Sequence, residues 1–378
     1  MAENKIRILE TIRQGKIGGG ETHVLELCTN IDKEIYEPIV LSFTDGPMVD
    51  LLKTRGIKTK VIKCETGFNI KVWKKVKQFL EEEKIDIVHA HGTRAMSNVF
   101  WAASRLKLPL IYTVHGWSFH PNQKRIIRFI RETSEKFLTA QALLTICVSK
   151  SNQNDGIKLF NLKRSKVIYN SVDLNKFNPN NSFKDIRKEL QIPSNKTLIG
   201  YIVRITTQKD PFTMIKAMKI ISSITDDVIL LMVGDGELKN ESLELIRKLN
   251  LEKNIVFENF RTDIPDILNA IDIYCLPSLW EGFPIGILES MAMKKCVICT
   301  PVDGNIELVI NNETGVLVNI KQPEELANAI LSLHNDKISR EKLAEKGYDL
   351  ITKSFGMSTL IKKIEYVYMQ VINKEINK

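Results

Sequence analysis

The stretch Glu281-Gly-Phe-Pro-Ile-Gly-Ile-Leu-Glu289-Ser-Met-Ala292 follows closely on Ile271-Asp-Ile-Tyr-Cys-Leu276-Pro-Ser278. The upstream run reads as a buried strand that ends at Pro277. Gly282, Pro284 and Gly286 then mark a turn, and the apolar run after them reads as a helix. Pro284 suits its first turn, where a missing N–H costs nothing. Glu281 therefore falls in a strand-to-helix loop, and Glu289 near the start of the helix. The N–H groups of Ile285, Gly286 and Ile287 are predicted to point into that loop. Free N–H groups and the helix dipole together attract an anion, a diphosphate above all. The two carboxylates flank that anion and can accept hydrogen bonds from neutral hydroxyls, such as those of sugars and riboses.

Outward from this stretch, strands alternate with helices. In the second half, strands are predicted at Leu198–Val203, Val228–Val233, Ile255–Phe257, Ile271–Leu276 and Cys296–Thr300, with helices such as Pro211–Ile221 and Leu238–Leu249 between them. In the first half, strands are predicted from Ile6 and at Ile39–Phe43, Lys60–Ile62, Ile85–His89, Leu110–Val114 and Leu144–Val148. A glycine loop at Gly18-Gly19-Gly20 precedes a helix over Glu21–Ile31, and Val72–Glu83 is amphipathic. Such alternation predicts an α/β chain with doubly wound parallel sheets. A linker fits Asn170–Ser194, and a final helix spans Ser358–Asn377.

The 378 residues suggest two domains, and 43% hydrophobic content suits a globular chain. No apolar run approaches the ~18–20 residues needed to cross a bilayer. The N-terminus lacks an apolar leader segment, so a cytoplasmic protein is expected. The six cysteines sit mostly in apolar segments. Cys296-Val-Ile-Cys299 has no second pair at zinc spacing and reads as core packing. Charge is uneven. Residues 1–171 carry 28 Lys+Arg against 17 Asp+Glu, a balance of +11, and residues 172–378 carry 26 against 28, a balance of −2. An anionic partner on the first half fits this balance, as does solubility alone. The charge is diffuse and no aromatic stacking surface accompanies it, which argues against nucleic acid.

Arg204 and Lys209 follow a predicted strand, where a planar fork and a compact charge suit a diphosphate. Gly18 and Gly19 allow close backbone approach to a phosphate or sugar. The Gly-x-Gly-x-x-Gly pattern of nicotinamide enzymes is absent. His115 ends a strand and is expected to face a ligand. His89 and His91 form His-x-His, read as strand-end residues lining the acceptor side, because nothing in the sequence completes a metal shell. No Asp-x-Asp pair sits at a strand end, so no metal or other cofactor is expected. Lys124, Arg125, Arg128 and Arg131 surround Ile126, Ile127, Phe129 and Ile130. This segment suits either an anionic membrane face or a core-packing helix with a solvated basic side. Lys71, Lys74, Lys75 and Lys77 pose the same choice.

Several motifs share one resemblance. They are Ile17-Gly-Gly-Gly-Glu-Thr-His, Asp86-Ile-Val-His-Ala-His-Gly, Tyr112-Thr-Val-His-Gly, Val148-Ser-Lys, Ile168-Tyr-Asn-Ser-Val-Asp, Val233-Gly-Asp-Gly-Glu and the Glu281–Glu289 stretch. In order and spacing they resemble the family 4 retaining glycosyltransferases, and the likeness covers nearly the whole chain. It implies the GT-B fold, two Rossmann-like domains facing a central cleft. Residues 1–171 would form the acceptor side and 172–357 the donor side, with 358–378 packing back on the first.

The resemblance also assigns roles. Arg204 and Lys209 would hold the donor diphosphate, with Gly18, Gly19, Gly234, Ile285, Gly286 and Ile287 beside it. Glu289 would bridge the ribose hydroxyls, and Glu281 and His115 would act at the transferred sugar. Arg261, within Asn259-Phe260-Arg261, would reach the nucleobase, chiefly through main chain. Lys209-Asp210 stands where the family often has Lys-Gly. The expected activity is transfer, with retention and by front-face attack, of a hexosyl or N-acetylhexosaminyl group from a UDP-sugar. The acceptor would be a glycan or polyprenyl-diphosphate-linked glycan of bacterial surface polysaccharide synthesis, reached by a protein peripheral to the inner membrane face. A GT-B sugar-nucleotide epimerase and a non-catalytic nucleotide-sugar-binding subunit are the alternatives.

Overall fold

The computed structural model describes residues 5–120 and 123–373. The chain divides into two compact units, one of Met1–Asn170 with Ser358–Lys378 and the other of Ser171–Met357.

The first unit is built on seven parallel strands: β1 (Ile6–Ile12), β2 (Tyr36–Ser42), β3 (Lys58–Val61), β4 (Ile87–His91), β5 (Leu110–Val114), β6 (Leu144–Cys147) and β7 (Ser165–Val167). Their spatial order is β3-β2-β1-β4-β5-β6-β7. The winding reverses between β1 and β4, and ligands of such sheets bind beyond the strand ends at that switch point. β4 and β5 are buried along their whole length and β1 from Ile8 onward, as helices on both faces require. Glu10 sits among the buried Ile8, Leu9 and Ile12 of β1 and is itself 1% exposed. The helix Met357–Ile372 returns to this unit, where Tyr36 and Tyr368 pack edge to face at 5.9 Å. Residues 374–377 of the predicted C-terminal helix lie outside the described residues.

The second unit has six parallel strands: β8 (Thr197–Ile202), β9 (Val228–Val233), β10 (Ile255–Glu258), β11 (Ile273–Leu276), β12 (Cys296–Cys299) and β13 (Val316–Leu317). The order is β10-β9-β8-β11-β12-β13, so its switch point lies between β8 and β11. Every residue of β9, Val-Ile-Leu-Leu-Met-Val, is buried. All six cysteines are buried thiols, and Cys296 and Cys299 lie on β12 within the sheet.

Both halves are the doubly wound α/β layers that the alternation predicts. β7 and β13 were not anticipated; at three and two residues they are too short to carry a periodic signal. Among the described residues no helix is long and apolar enough to cross a membrane.

Candidate active site

In the second unit the loops leaving β8 and β11 meet beside the switch point. Gln208 ties them together: its carbonyl accepts from Leu279 N at 2.8 Å, and its Nε2 donates to Trp280 O at 2.8 Å. Lys209 ends a short 3₁₀ turn and its ammonium pairs with the Glu281 carboxylate. The two side chains are 19% and 5% exposed, so the pair is largely withdrawn from water. Asp303 Oδ2 accepts from Glu281 N at 2.7 Å and fixes the backbone of the loop. Lys209 and Glu281, assigned to diphosphate and sugar respectively, thus stand side by side.

Arg204 lies in the β8 loop and is half-buried, with no carboxylate partner among the described residues. Its loop rests on the glycine turn after β9. Gly234 has φ +147°, and a Cβ there would stand 1.9 Å from Val203 O. Only glycine fits so close a backbone contact. Ile205 N donates to Asp235 O at 3.0 Å across the same contact. The Val-Gly-Asp-Gly turn therefore shapes the loop that carries the unpaired guanidinium.

The helix Ile285–Ala292 starts one residue later than Pro284 suggested, with Pro284 as its N-cap. Ile285 and Gly286 keep N–H groups without an acceptor among the described residues. Ile287 is a correction: its N–H donates to Pro284 O at 3.2 Å and is not free for an anion. Gly286 is required by packing, since a Cβ there would meet Tyr274 Oη at 2.4 Å. Glu289 is the fifth residue of the helix and half-buried. The Arg261 guanidinium is taken up by Asp263, Glu189 and Glu258, which leaves main chain as the group available there.

In the first unit, Gly18 caps the helix Gly19–Asn30 with no side-chain cap, and Gly19 is exposed. Gly20 lies against the His115 ring, 3.3 Å from Cδ2 to its ideal Cβ. The glycine loop and His115 therefore share one spot at the end of the sheet. His91 joins them: its Nδ1 lies 3.0 Å from His115 Nε2, and its Nε2 lies 2.7 Å from Glu10 Oε2. His23 stands edge-on to His115 at 4.9 Å. Burial, then the fields of neighbouring histidines, pushes His91 down to about 4 and His115 well below its ordinary range. The same causes push His23 down to about 3.

Two expectations for His89 and His91 are corrected. His89 is 0% exposed, with Nδ1 at 2.6 Å from Tyr368 Oη and Nε2 at 2.7 Å from Thr113 Oγ1. A ring so enclosed does not line an acceptor site. Nor is the pair without neighbours able to complete a donor set. Glu10 with His89 and His91, and His23 with His91 and His115, each bring their donor atoms within 4.8 Å of one another. Glu10 and His91 already spend those atoms on hydrogen bonds within the cluster. Sequence reasoning passed over Glu10, His23 and Tyr368. A lone acid inside the apolar strand Ile-Arg-Ile-Leu-Glu-Thr-Ile was the available signal for Glu10.

The basic segment forms the helix Arg125–Gln141; Lys124 is its N-cap. Glu135 pins its C-terminal half, accepting from Thr93 Oγ1 at 2.6 Å, Ser118 Oγ at 2.6 Å and Tyr112 Oη at 2.9 Å. The N-terminal half stands clear: Ile126, Phe129 and Ile130 are 75%, 68% and 60% exposed. Arg128 pairs with Glu132 at 2.6 Å, and Lys124 and Arg125 are exposed. The alternative of an ordinary core-packing helix does not hold for this half.

Comparison with known proteins fits this geometry. The family "Glycosyltransferase Family 4" matches residues 17–176, and "Glycosyl transferases group 1" matches residues 182–350. A UDP-Gal:alpha-D-GlcNAc-diphosphoundecaprenol alpha-1,3-galactosyltransferase of Escherichia coli is 28% identical over 387 residues, covering 98% of this chain and 99% of that one. The capsular polysaccharide biosynthesis glycosyltransferase CapM of Staphylococcus aureus is 28% identical over 267 residues, 68% of this chain and 69% of its own. Anabaena HepE, solved with UDP and glucose, superposes with TM-score 0.85 at 24% identity over 96% of this chain and 99% of its own. The chain belongs to glycosyltransferase family 4 and is a glycosyltransferase of the GT-B fold.

Proposed function

We propose that the protein transfers a hexosyl or N-acetylhexosaminyl group, with retention, from a UDP-sugar to a polyprenyl-diphosphate-linked glycan. The observation that carries the donor half is the unpaired Arg204 beside the switch point of the second unit, with the open N–H groups of Ile285 and Gly286 and the Lys209–Glu281 pair at the same switch point. These groups supply a bidentate fork, a compact charge and a helix N-terminus, which suit a diphosphate leaving group. In this reading Glu289 takes the ribose, Glu281 and His115 the transferred sugar, and the Arg261 main chain the base. The acceptor hydroxyl attacks the anomeric carbon on the face that UDP leaves, its proton passing to the departing phosphate oxygen. No metal is assigned to the step. Galactosyl transfer from a UDP-sugar to a diphosphoundecaprenol-linked sugar, named for the E. coli relative, supports the pairing of donor and acceptor.

The exposed half of the helix Arg125–Gln141 supports a lipid-borne acceptor. Ile126, Phe129 and Ile130 flanked by Lys124, Arg125 and Arg128 suit the headgroup region of an anionic leaflet. Each cation near such a surface contributes about 1 kcal/mol. The helix would then dock the protein peripherally on the leaflet that holds the acceptor.

The test is radiolabelled UDP-hexose incubated with polyprenyl-diphosphate-linked GlcNAc, with and without chelator. Label in the lipid product with an α linkage supports the reading. Loss of transfer on chelation, restored by a divalent cation, overturns the metal-independent route. Product of inverted configuration overturns retention.

A further inference from the structure

The buried cluster of the first unit has one consistent set of hydrogen-bond directions. A carboxylate only accepts, so the 2.7 Å contact between Glu10 Oε2 and His91 Nε2 puts the His91 proton on Nε2. A neutral His91 then offers Nδ1 as a lone pair. That atom faces His115 Nε2 at 3.0 Å, so His115 must donate from Nε2. His115 Nδ1 is left unprotonated; it is buried and has no partner among the described residues. Glu10 is steadied from the far end of the chain. Tyr368, on the helix Met357–Ile372, donates its hydroxyl to Glu10 Oε1. His89 braces that hydroxyl and is itself held by Thr113.

We infer that Glu10, His91 and Tyr368 are positioning residues that lock His115 in its Nε2–H tautomer and so present Nδ1 as a fixed acceptor for a substrate hydroxyl. This rests on the reading that His115 acts at the transferred sugar. Burial favours the neutral ring, and Arg13 adds a positive field at His115 in the same direction. With the proton fixed on the far nitrogen, the ring accepts one hydroxyl hydrogen and cannot donate at that atom. Sugars that offer only an acceptor at this point are discriminated against. The relay moves no proton and forms no bond; it acts by orientation alone.

The experiment uses the full chain labelled with ¹⁵N-histidine, whose six histidines give separable ring signals in long-range ¹H–¹⁵N correlation spectra. The expected wild-type His115 pattern, assigned with His115→Gln, is protonated Nε2 and bare Nδ1. Glu10→Gln and Tyr368→Phe are expected to convert it to a tautomer mixture and to lower kcat roughly tenfold to a hundredfold, with donor KM changed less than about threefold. A wild-type Nδ1–H ring overturns the relay. So does a metal bound stoichiometrically at these histidines, because His91, common to both possible donor sets, would then be a ligand. A tautomer that shifts in Glu10→Gln with kcat unchanged overturns the positioning role. An intact Nε2–H tautomer in a protein that transfers no sugar supports the relay and counts against the proposed function. Circular dichroism of Glu10→Gln separates these outcomes from unfolding, and Tyr368→Phe supplies a milder variant.

Discussion

Gly286→Ala puts the packing of the helix Ile285–Ala292 to a direct test. The new Cβ would stand 2.4 Å from Tyr274 Oη and 3.2 Å from Cζ. Tyr274 is 2% exposed and sits on β11, with its hydroxyl 3.3 Å from Ile202 O, so it has little room to retreat. Comfortable separation needs a shift of about 1 Å at the helix start. Overpacking of this kind costs roughly 1–3 kcal/mol, offset by up to about 1 kcal/mol for replacing glycine within a helix. A net cost of about 1–2 kcal/mol lowers Tm by roughly 2–8 °C in a unit of this size. Tyr274→Phe removes the clashing oxygen and one long hydrogen bond, a loss of roughly 0.5–1.5 kcal/mol. The double variant is therefore expected to be more stable than the sum of the single changes predicts, by about 1 kcal/mol. Differential scanning calorimetry of the four proteins reads this, and UDP titration reads the displaced N–H groups as weaker binding in Gly286→Ala alone. Additive effects, or a single variant with unchanged Tm and unchanged UDP affinity, would refute the reasoning.

Arg204→Ala is expected to lower kcat/KM for the donor roughly a hundredfold or more, and Arg204→Lys to recover part of it, because charge returns without the planar fork. Steady-state kinetics with a saturating acceptor checks this. His23, His91 and His115 are all held below their unfolded pKa of about 6.5, with His91 at about 4 and His23 at about 3. As pH falls the unfolded chain takes up these protons first. Stability is therefore fully present above about pH 6.5 and declines toward pH 4, by up to roughly 1.4 kcal/mol per pH unit for each histidine. Urea unfolding at pH 7.5, 6 and 5 reads the slope, and a flat profile contradicts a neutral cluster. Replacing Ile126, Phe129 and Ile130 together by Ser is expected to weaken binding to anionic vesicles at least about tenfold while leaving UDP affinity unchanged. Equal vesicle binding by variant and wild type removes the helix from the docking surface.

The donor loop was legible because its signals are local. Glycine and proline punctuation fixes the turn, and a buried strand leads into it, so Glu281 falls in the strand-to-helix loop as the sequence places it, whereas Glu289 is the fifth of the helix's eight residues and lies deeper than the expected start. Main-chain detail was less accessible. Whether Ile287 N–H is open depends on the ψ of Pro284, which turns that carbonyl back onto it. His89 was misread for a different reason. Strand alternation puts His89 and His91 on one face, but the hydroxyl that encloses His89 belongs to Tyr368, 279 residues away. No pattern near either residue announces that contact. Glu10, by contrast, carried a signal in its own strand, since an acid among buried aliphatics needs partners inside the protein. The exposed face of the helix Arg125–Gln141 has a sequence compatible with core packing or with a surface, and only the exposure of Ile126, Phe129 and Ile130 in the fold distinguishes them.

The central claim is that the unpaired Arg204, the open helix N-terminus and the Glu281–Lys209 pair serve transfer from a UDP-sugar to a lipid-borne glycan. The most direct measurement is nucleotide release from a panel of UDP-, GDP- and ADP-sugars, with and without membrane lipid extract, for the wild type and Glu281→Ala. The account predicts extract-dependent release of UDP from one UDP-sugar, abolished in Glu281→Ala. Binding of nucleotide sugar with no release under any acceptor, or release confined to a GDP- or ADP-sugar, would contradict it.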